Sequence, residues 1–178
     1  MPVRGWFPGR ACRCFGGALS HETPGRLRNV ALPRTYESQN CSVARSLEVV
    51  GDRWTMLLIR TAFQGVRRFD DFQDVLGVAR NVLTDRLNRL CAEGIMRRVP
   101  YQERPERFEY RLTRKGVELW PVIMTLLMWG DRHYAPEGPP LIVGHRGCGG
   151  RLTPQFTCDS CGAQLGPSDV APQPGPAA

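Results

Sequence analysis

The sequence predicts a mainly α fold with a small β-hairpin (α+β), followed by a short tail built on different principles. Three observations carry that reading. Apolar residues recur at helical spacing in successive stretches between Tyr36 and His133. Gly77-Val78 forms a tight break of the kind that joins two helices in a helix-turn-helix. Around residues 95–112 the period changes from helical to alternating, as in half-buried strands.

Residues 1–35 mix Pro, Gly and Arg without periodicity and are expected to be disordered. Val43, Leu47 and Val50 then recur as a first helix, broken at Gly51-Asp52. Trp54, Leu57, Leu58 and Thr61 make a second helix that ends near Gly65. A short third helix, Phe69 to Leu76, places Phe69, Phe72, Val75 and Leu76 on one side. The fourth runs from about Arg80 to Glu93, with Leu83, Leu87 and Leu90 on one stripe and Gly94 as its stop. Ile95, Arg97 and Val99 alternate, and so do Phe108, Tyr110 and Leu112, which makes a hairpin whose long tip is the polar stretch 101–107. Thr113 is expected to cap a last helix to about His133, kinked where Pro121 lacks an amide donor. That order is the order of a winged helix-turn-helix domain, here residues 36–140.

The chain has 178 residues, 42% hydrophobic and 23% charged, which suits one folded domain of ~150 residues with an appendage. Its longest mostly apolar stretch, Val117 to Trp129, is interrupted by Glu118, Pro121 and Thr125 and falls short of the ~18 to 20 residues that span a bilayer. No membrane partner is expected. The first twenty residues lack the apolar core of ~7 to 15 residues of a secretory leader. Seven cysteines in such a chain suggest a reducing cytoplasm, with thiols or metal ligands rather than disulfides. The net charge of +7 is uneven: +5 over residues 1–35, −1 over 36–79, +5 over 80–115 and −2 over 116–140. The internal basic block covers the fourth helix and the hairpin, and suits a polyanionic partner. No Ser-His-Asp pattern, phosphate loop or dinucleotide fingerprint is present, and none of His21, His133 and His145 stands near a candidate nucleophile. An enzyme is not expected.

Several segments carry a family resemblance: Asn40-Cys41-Ser42-Val43-Ala44-Arg45, Gly51-Asp52-Arg53-Trp54-Thr55, Arg68-Phe69, Leu83-Thr84-Asp85-Arg86-Leu87, Glu109-Tyr110-Arg111-Leu112-Thr113 and Trp129-Gly130. Through them Tyr36 to Gly130 resembles the HxlR family of bacterial winged-helix regulators, relatives of the MarR group. The resemblance implies a DNA-binding homodimer that represses or activates nearby genes, acting on near-palindromic operators. The sequence departs from the family pattern at Ala79, where a serine usually precedes the recognition helix. Alanine cannot cap, at a cost of ~1 kcal/mol. Neither the operator nor a small-molecule effector is legible.

With Leu83, Leu87 and Leu90 turned inward, Asn81, Asp85, Asn88 and Arg89 face outward, flanked by Val82 and Thr84, and Arg80 opens the helix. Asn pairs with adenine in the major groove, Arg with guanine, and Val touches a thymine methyl. Asp85 would repel phosphate and is expected to orient a neighbouring arginine instead. Arg104 and Arg107, at the hairpin tip, can enter a minor groove or hold phosphate, unless Glu103 and Glu106 pair with them; Arg97 and Arg98, at its base, would contact backbone at most. The last helix is apolar on two stripes, Val117-Trp120-Met124-Leu127 and Ile123-Leu126-Gly130, one of which is expected to meet a second copy.

Residues 141–166 hold His145-x2-Cys148-x9-Cys158-x2-Cys161, a spacing that suits a closed, structural Cys3His zinc site of the knuckle or ribbon type. Incidental free thiols are the plainer alternative, and residues 167–178 are expected to be disordered. Cys41 stands where the family often carries a cysteine, and in some members that thiol resembles a redox sensor. It lies at a helix start with Arg45 one turn on, which favours a thiolate, although a small core residue explains it as well. A metal- or thiol-responsive sensor built on the same DNA-binding domain is therefore the second reading, and a zinc-ribbon protein-interaction module the next.

Overall fold

The computed structural model describes residues 40–173 and 175–176. The expected disordered extension 1–35, with Cys12 and Cys14, lies outside them. Ser46–Val143 forms one compact unit, and the residues up to Arg45 and from Gly144 on fall in another.

α1 (Ser42–Val50) is followed at once by α2 (Arg53–Phe63). The turn between them needs Gly51: its amide donates to the Leu47 carbonyl at 2.8 Å, and a Cβ would collide with that same oxygen. Asp52 then caps α2, its Oδ1 accepting from the Trp54 amide at 2.9 Å. Of the apolar positions expected on α1, Val50 is buried, whereas Val43 and Leu47 are exposed.

α3 (Phe69–Leu76) ends at Gly77, whose left-handed φ of 60° and amide bond to the Gln73 carbonyl (2.8 Å) stop the helix. Buried Val78 spans the turn, and α4 (Arg80–Ala92) starts from an extended Ala79 that makes no side-chain cap. Only Phe72 of the four apolar residues expected inside α3 is fully buried; Val75 is exposed, because eight residues offer one inward position per turn. The core of the unit is Leu58 and Ile59 of α2, Phe72, Val78, Leu83, Leu87 and Leu90 of α4, then Ile95, Met96, Tyr110, Ile123 and Met124.

The wing differs from its expected shape. β1 (Met96–Glu103) and β2 (Glu106–Leu112) pair antiparallel from Met96 with Leu112 to Glu103 with Glu106. The expected long tip shrinks to Arg104-Pro105, because Gln102 pairs with Arg107 and Glu103 with Glu106, past an irregularity at which Tyr101 is left without a partner. Polar strands read as loop by composition, and pairing overrides that signal. Arg68 forms an isolated antiparallel bridge with Glu109 and the Tyr110 amide donates to the Arg67 carbonyl (2.7 Å), so Arg67-Arg68 lies along β2.

Thr113 caps as expected, accepting from the Gly116 amide at 3.2 Å. The helix it starts is not one kinked rod. α5 (Arg114–Val117) ends, and Pro121 sits in the first turn of α6 (Trp120–Tyr134), where a missing amide donor costs nothing. That break resets the stripes: Ile123 and Met124 point inward together, while Val122, Leu126 and Trp129 share the exposed face.

The tail holds β3 (Phe156–Thr157) paired with β4 (Gln164–Leu165), and an isolated bridge between Gly144 and Arg151. No described helix is long and apolar enough to cross a membrane.

Candidate nucleic-acid interface

α4 presents a polar face because its leucines are fixed inward. With Leu83, Leu87 and Leu90 buried, Asn81, Thr84, Asp85, Asn88 and Arg89 are exposed and Val82 is half-buried. Asp85 does hold an arginine: its Oδ2 accepts from Arg86 Nη1 at 2.6 Å. Arg86, which the outward-face argument passed over, ties this helix to the next layer. Its Nε and Nη2 reach Oδ1 and Oδ2 of Asp52 at 3.0 and 3.3 Å, so one carboxylate caps α2 and clamps α4. Partial burial pushes the Asp52 carboxyl up, but the Arg86 bond, the Trp54 amide, the Arg86 charge and the Thr55 amide together hold it below its ordinary value.

Arg89 is less available than expected. It donates through Nη2 to the Glu48 carbonyl in the last turn of α1, which makes it an anchor as much as a base reader. Arg98, expected to touch backbone at most, instead donates to Asn88 Oδ1 and lies over the Phe108 and Tyr110 rings. Arg80 stacks 4.8 Å above the Phe69 ring and sits 3.7 Å from Asp70, an exposed pair of little worth. Arg104 and Arg107 are exposed at the end of the wing. At its root Glu109 binds Arg111 (2.8 Å) and faces Arg68 (4.0 Å). The Arg111 hydrogen bond, with the charges of Arg111, Arg67 and Arg68, outweighs desolvation and lowers its carboxyl. Cys91, near the end of α4, is half-buried, and burial pushes its thiol up despite Arg98. It fills space.

Sequence reasoning missed Arg86 and Arg98 for one reason. Each is paired with a residue from another element, and spacing within one helix does not show such a partner. The signal was present all the same: Asp52 and Arg86 both fall in segments that carry the family resemblance.

Residues 49–138 match the HxlR-like helix-turn-helix family. The HTH-type transcriptional regulator Rv3095 of Mycobacterium tuberculosis is 46% identical over 136 residues, 76% of this chain and 86% of its own. The chain belongs to the HxlR family. Two solved structures accord with that. PA1607, a proposed transcription factor, superposes with a TM-score of 0.69 at 38% identity, covering 75% of this chain and 94% of its own. PA1374 of Pseudomonas aeruginosa gives 0.58 at 40% identity over 78% and 94%. The protein is thus a transcriptional regulator with a winged helix-turn-helix domain.

The tail residues are drawn together two by two. His145 Nδ1 lies 3.3 Å from Cys148 Sγ. Amides of Cys161 and Ser160, and the Cys161 thiol, hydrogen-bond the Cys158 sulfur and lower its thiol. The sequence placed all four around one centre; among the described residues no three His, Cys, Asp or Glu side chains converge. Cys41 is half-buried immediately before α1, and Arg45, expected to attend its thiol, reaches Asn40 Oδ1 instead at 3.1 Å.

Proposed function

We propose that this HxlR-family regulator acts in the cytoplasm as a homodimer on near-palindromic operators, and not as an enzyme. α4 lies in the major groove, and Arg104 and Arg107 reach the flanking backbone or minor groove. The observation that supports this best is the face of α4, where Asn81, Thr84 and Asn88 are exposed while three leucines and the Asp52–Arg86 clamp fix the helix's rotation. In this reading Arg98 is a positioning residue that holds the Asn88 amide, and Arg80 and Arg89 serve phosphate. Val82, half-buried, has enough surface left for a thymine methyl.

The homodimer rests on α6. Val122, Leu126 and Trp129 are 48, 51 and 52% exposed along one face, on a helix whose opposite face already packs inward. An apolar stripe of this kind suits a two-fold partner, which would set half-sites about one helical turn, or a multiple of it, apart.

Selection from random duplexes followed by gel shifts tests the reading. A near-palindromic site should emerge. Asn88→Ala should relax preference at one or two base pairs, by ~1 to 3 kcal/mol. Arg107→Ala should weaken every sequence alike and lower the salt dependence by about one phosphate. An Asn81/Asn88/Arg89 triple-alanine variant that binds like the wild type would overturn the assignment of this face. Leu126→Glu should sediment as a monomer where the wild type is a dimer; a wild-type monomer at micromolar concentration would overturn the homodimer.

A further inference from the structure

We propose that the tail is a zinc module in which His145, Cys148, Cys158 and Cys161 close around a single Zn2+. The structure builds one loop twice. In the first copy the His145 amide donates to the Gly150 carbonyl (2.8 Å) and the Gly149 amide to the His145 carbonyl (2.7 Å). In the second the Cys158 amide donates to the Ala163 carbonyl and the Gly162 amide to the Cys158 carbonyl, both at 2.9 Å. The copies correspond residue for residue, thirteen positions apart: His145 to Cys158, Cys148 to Cys161, Gly149 to Gly162. Both glycines are left-handed, with φ of 71 and 73°, a conformation other residues rarely adopt. Each loop is framed by the same antiparallel pairing, Gly144 with Arg151 in one and Thr157 with Gln164 in the other.

The residues that recur between the copies are a soft donor, a second soft donor three residues on, and the glycine after it. The intervening pairs, Arg146-Gly147 and Asp159-Ser160, have nothing in common. A shared fold over unrelated intervening residues points to the donors as its purpose. A knuckle is such a loop, and two of them supply the four ligands of a tetrahedral site.

Nothing apolar explains the loops instead. Every buried apolar residue among those described lies between Ala44 and Met124, and Phe156, the largest side chain of the tail, is 71% exposed. The donor set selects the metal. Three thiolates and an imidazole suit zinc; hard cations require oxygen ligands, and the common iron–sulfur sites take four thiolates. Two ligands of tetrahedral zinc, at bond lengths of about 2.05 and 2.3 Å, stand about 3.6 Å apart. His145 Nδ1 and Cys148 Sγ, at 3.3 Å, are within a few tenths of that. Binding then consists of bringing the second pair onto the first. With four protein ligands the site keeps no open position, so its role is structural.

The test uses the full chain, reduced, as purified and after chelation. Elemental analysis of the purified protein should give one zinc per chain. Cobalt(II) added to the metal-free chain should saturate at one equivalent, with the visible bands of a tetrahedral thiolate site, and zinc should displace it. Native protein should protect three thiols that chelation exposes. Cys158→Ser should lower zinc affinity at least ~100-fold, whereas Cys91→Ser, outside the tail, should keep the full stoichiometry. The helical circular dichroism of the winged unit shows whether each variant is folded. A folded wild type without stoichiometric zinc or cobalt, or a Cys158→Ser variant of undiminished affinity, overturns the proposal.

Discussion

Ser46–Val143 and the tail after it solve the same problem by opposite means. The first unit surrounds Phe72 and the α4 leucines with apolar side chains from every helix but α5. Ordering a residue costs ~1 to 2 kcal/mol, and burial of apolar side chains is the main term that offsets it. The tail pays the same cost with no buried apolar residue. A structural zinc is worth ~10 to 16 kcal/mol in small modules, which is the scale the tail lacks. On the zinc proposal, the comparison sets a unit whose fold is a property of its sequence beside a unit whose fold is conditional on metal.

The largest effect that sharpens this contrast is in the core. Leu87→Ala should destabilise the winged unit by ~2 to 5 kcal/mol in urea unfolding, because it empties a site with no exposed surface. Phe156→Ala in the tail should stay within ~0.5 kcal/mol. A comparable loss from both would erase the distinction. Hydrogen exchange offers the converse: chelation should abolish protection at Cys158 and Gly162, whose amides close the second loop, and leave Leu83 to Leu90 protected.

Smaller, and confined to the first unit, is the clamp between α2 and α4. Asp52→Ala removes a helix cap worth ~1 to 2 kcal/mol and frees Arg86, so DNA affinity should fall together with stability. Arg86→Ala spares the cap and should lower affinity with less loss of stability; a variant with normal affinity would show that the clamp does not set α4's rotation. The clamp also titrates. Because the Asp52 carboxyl is depressed in the folded state, its contribution is complete above its unfolded pKa of ~3.9 and is lost as pH falls through the lower folded value. Wild type and Asp52→Asn should therefore converge in stability only in strong acid, and a gap unchanged down to that range would assign the effect to the cap geometry alone.

The helices, the Gly77 turn and the inward leucines of α4 were legible because each is set by residues close in sequence. What escaped depends on partners further away. Gln102 and Arg107 look like loop until β1 and β2 pair, and the Arg68 bridge exists only against Glu109. Pro121 was recognised as a breaker, but whether a proline kinks a helix or opens a new one depends on where the next turn begins. The same limit separates the two sites. Spacing displayed the proposed ligand pairs of the tail at once, since each lies within four residues, whereas the partners of Arg86, Arg89 and Arg98 come from other elements.

The smallest expected effect is at Cys41. A sensor thiol needs a neighbour that favours its thiolate. Arg45, one turn along α1, was the candidate, yet its side chain is directed to Asn40, and the bond it makes with Cys41 is a backbone one, from amide to carbonyl at 3.0 Å. Cys41→Ser should therefore bind operator within about twofold of the wild type, whether the protein has been kept reduced or treated with mild peroxide. Because the tail thiols also react with peroxide, the comparison is made on the zinc-loaded protein, with Cys158→Ser in parallel. Loss of affinity on oxidation in the wild type and Cys158→Ser, but not in Cys41→Ser, would place a switch at Cys41 that does not need Arg45. Loss in the wild type and Cys41→Ser alike, but not in Cys158→Ser, would move the redox response to the tail.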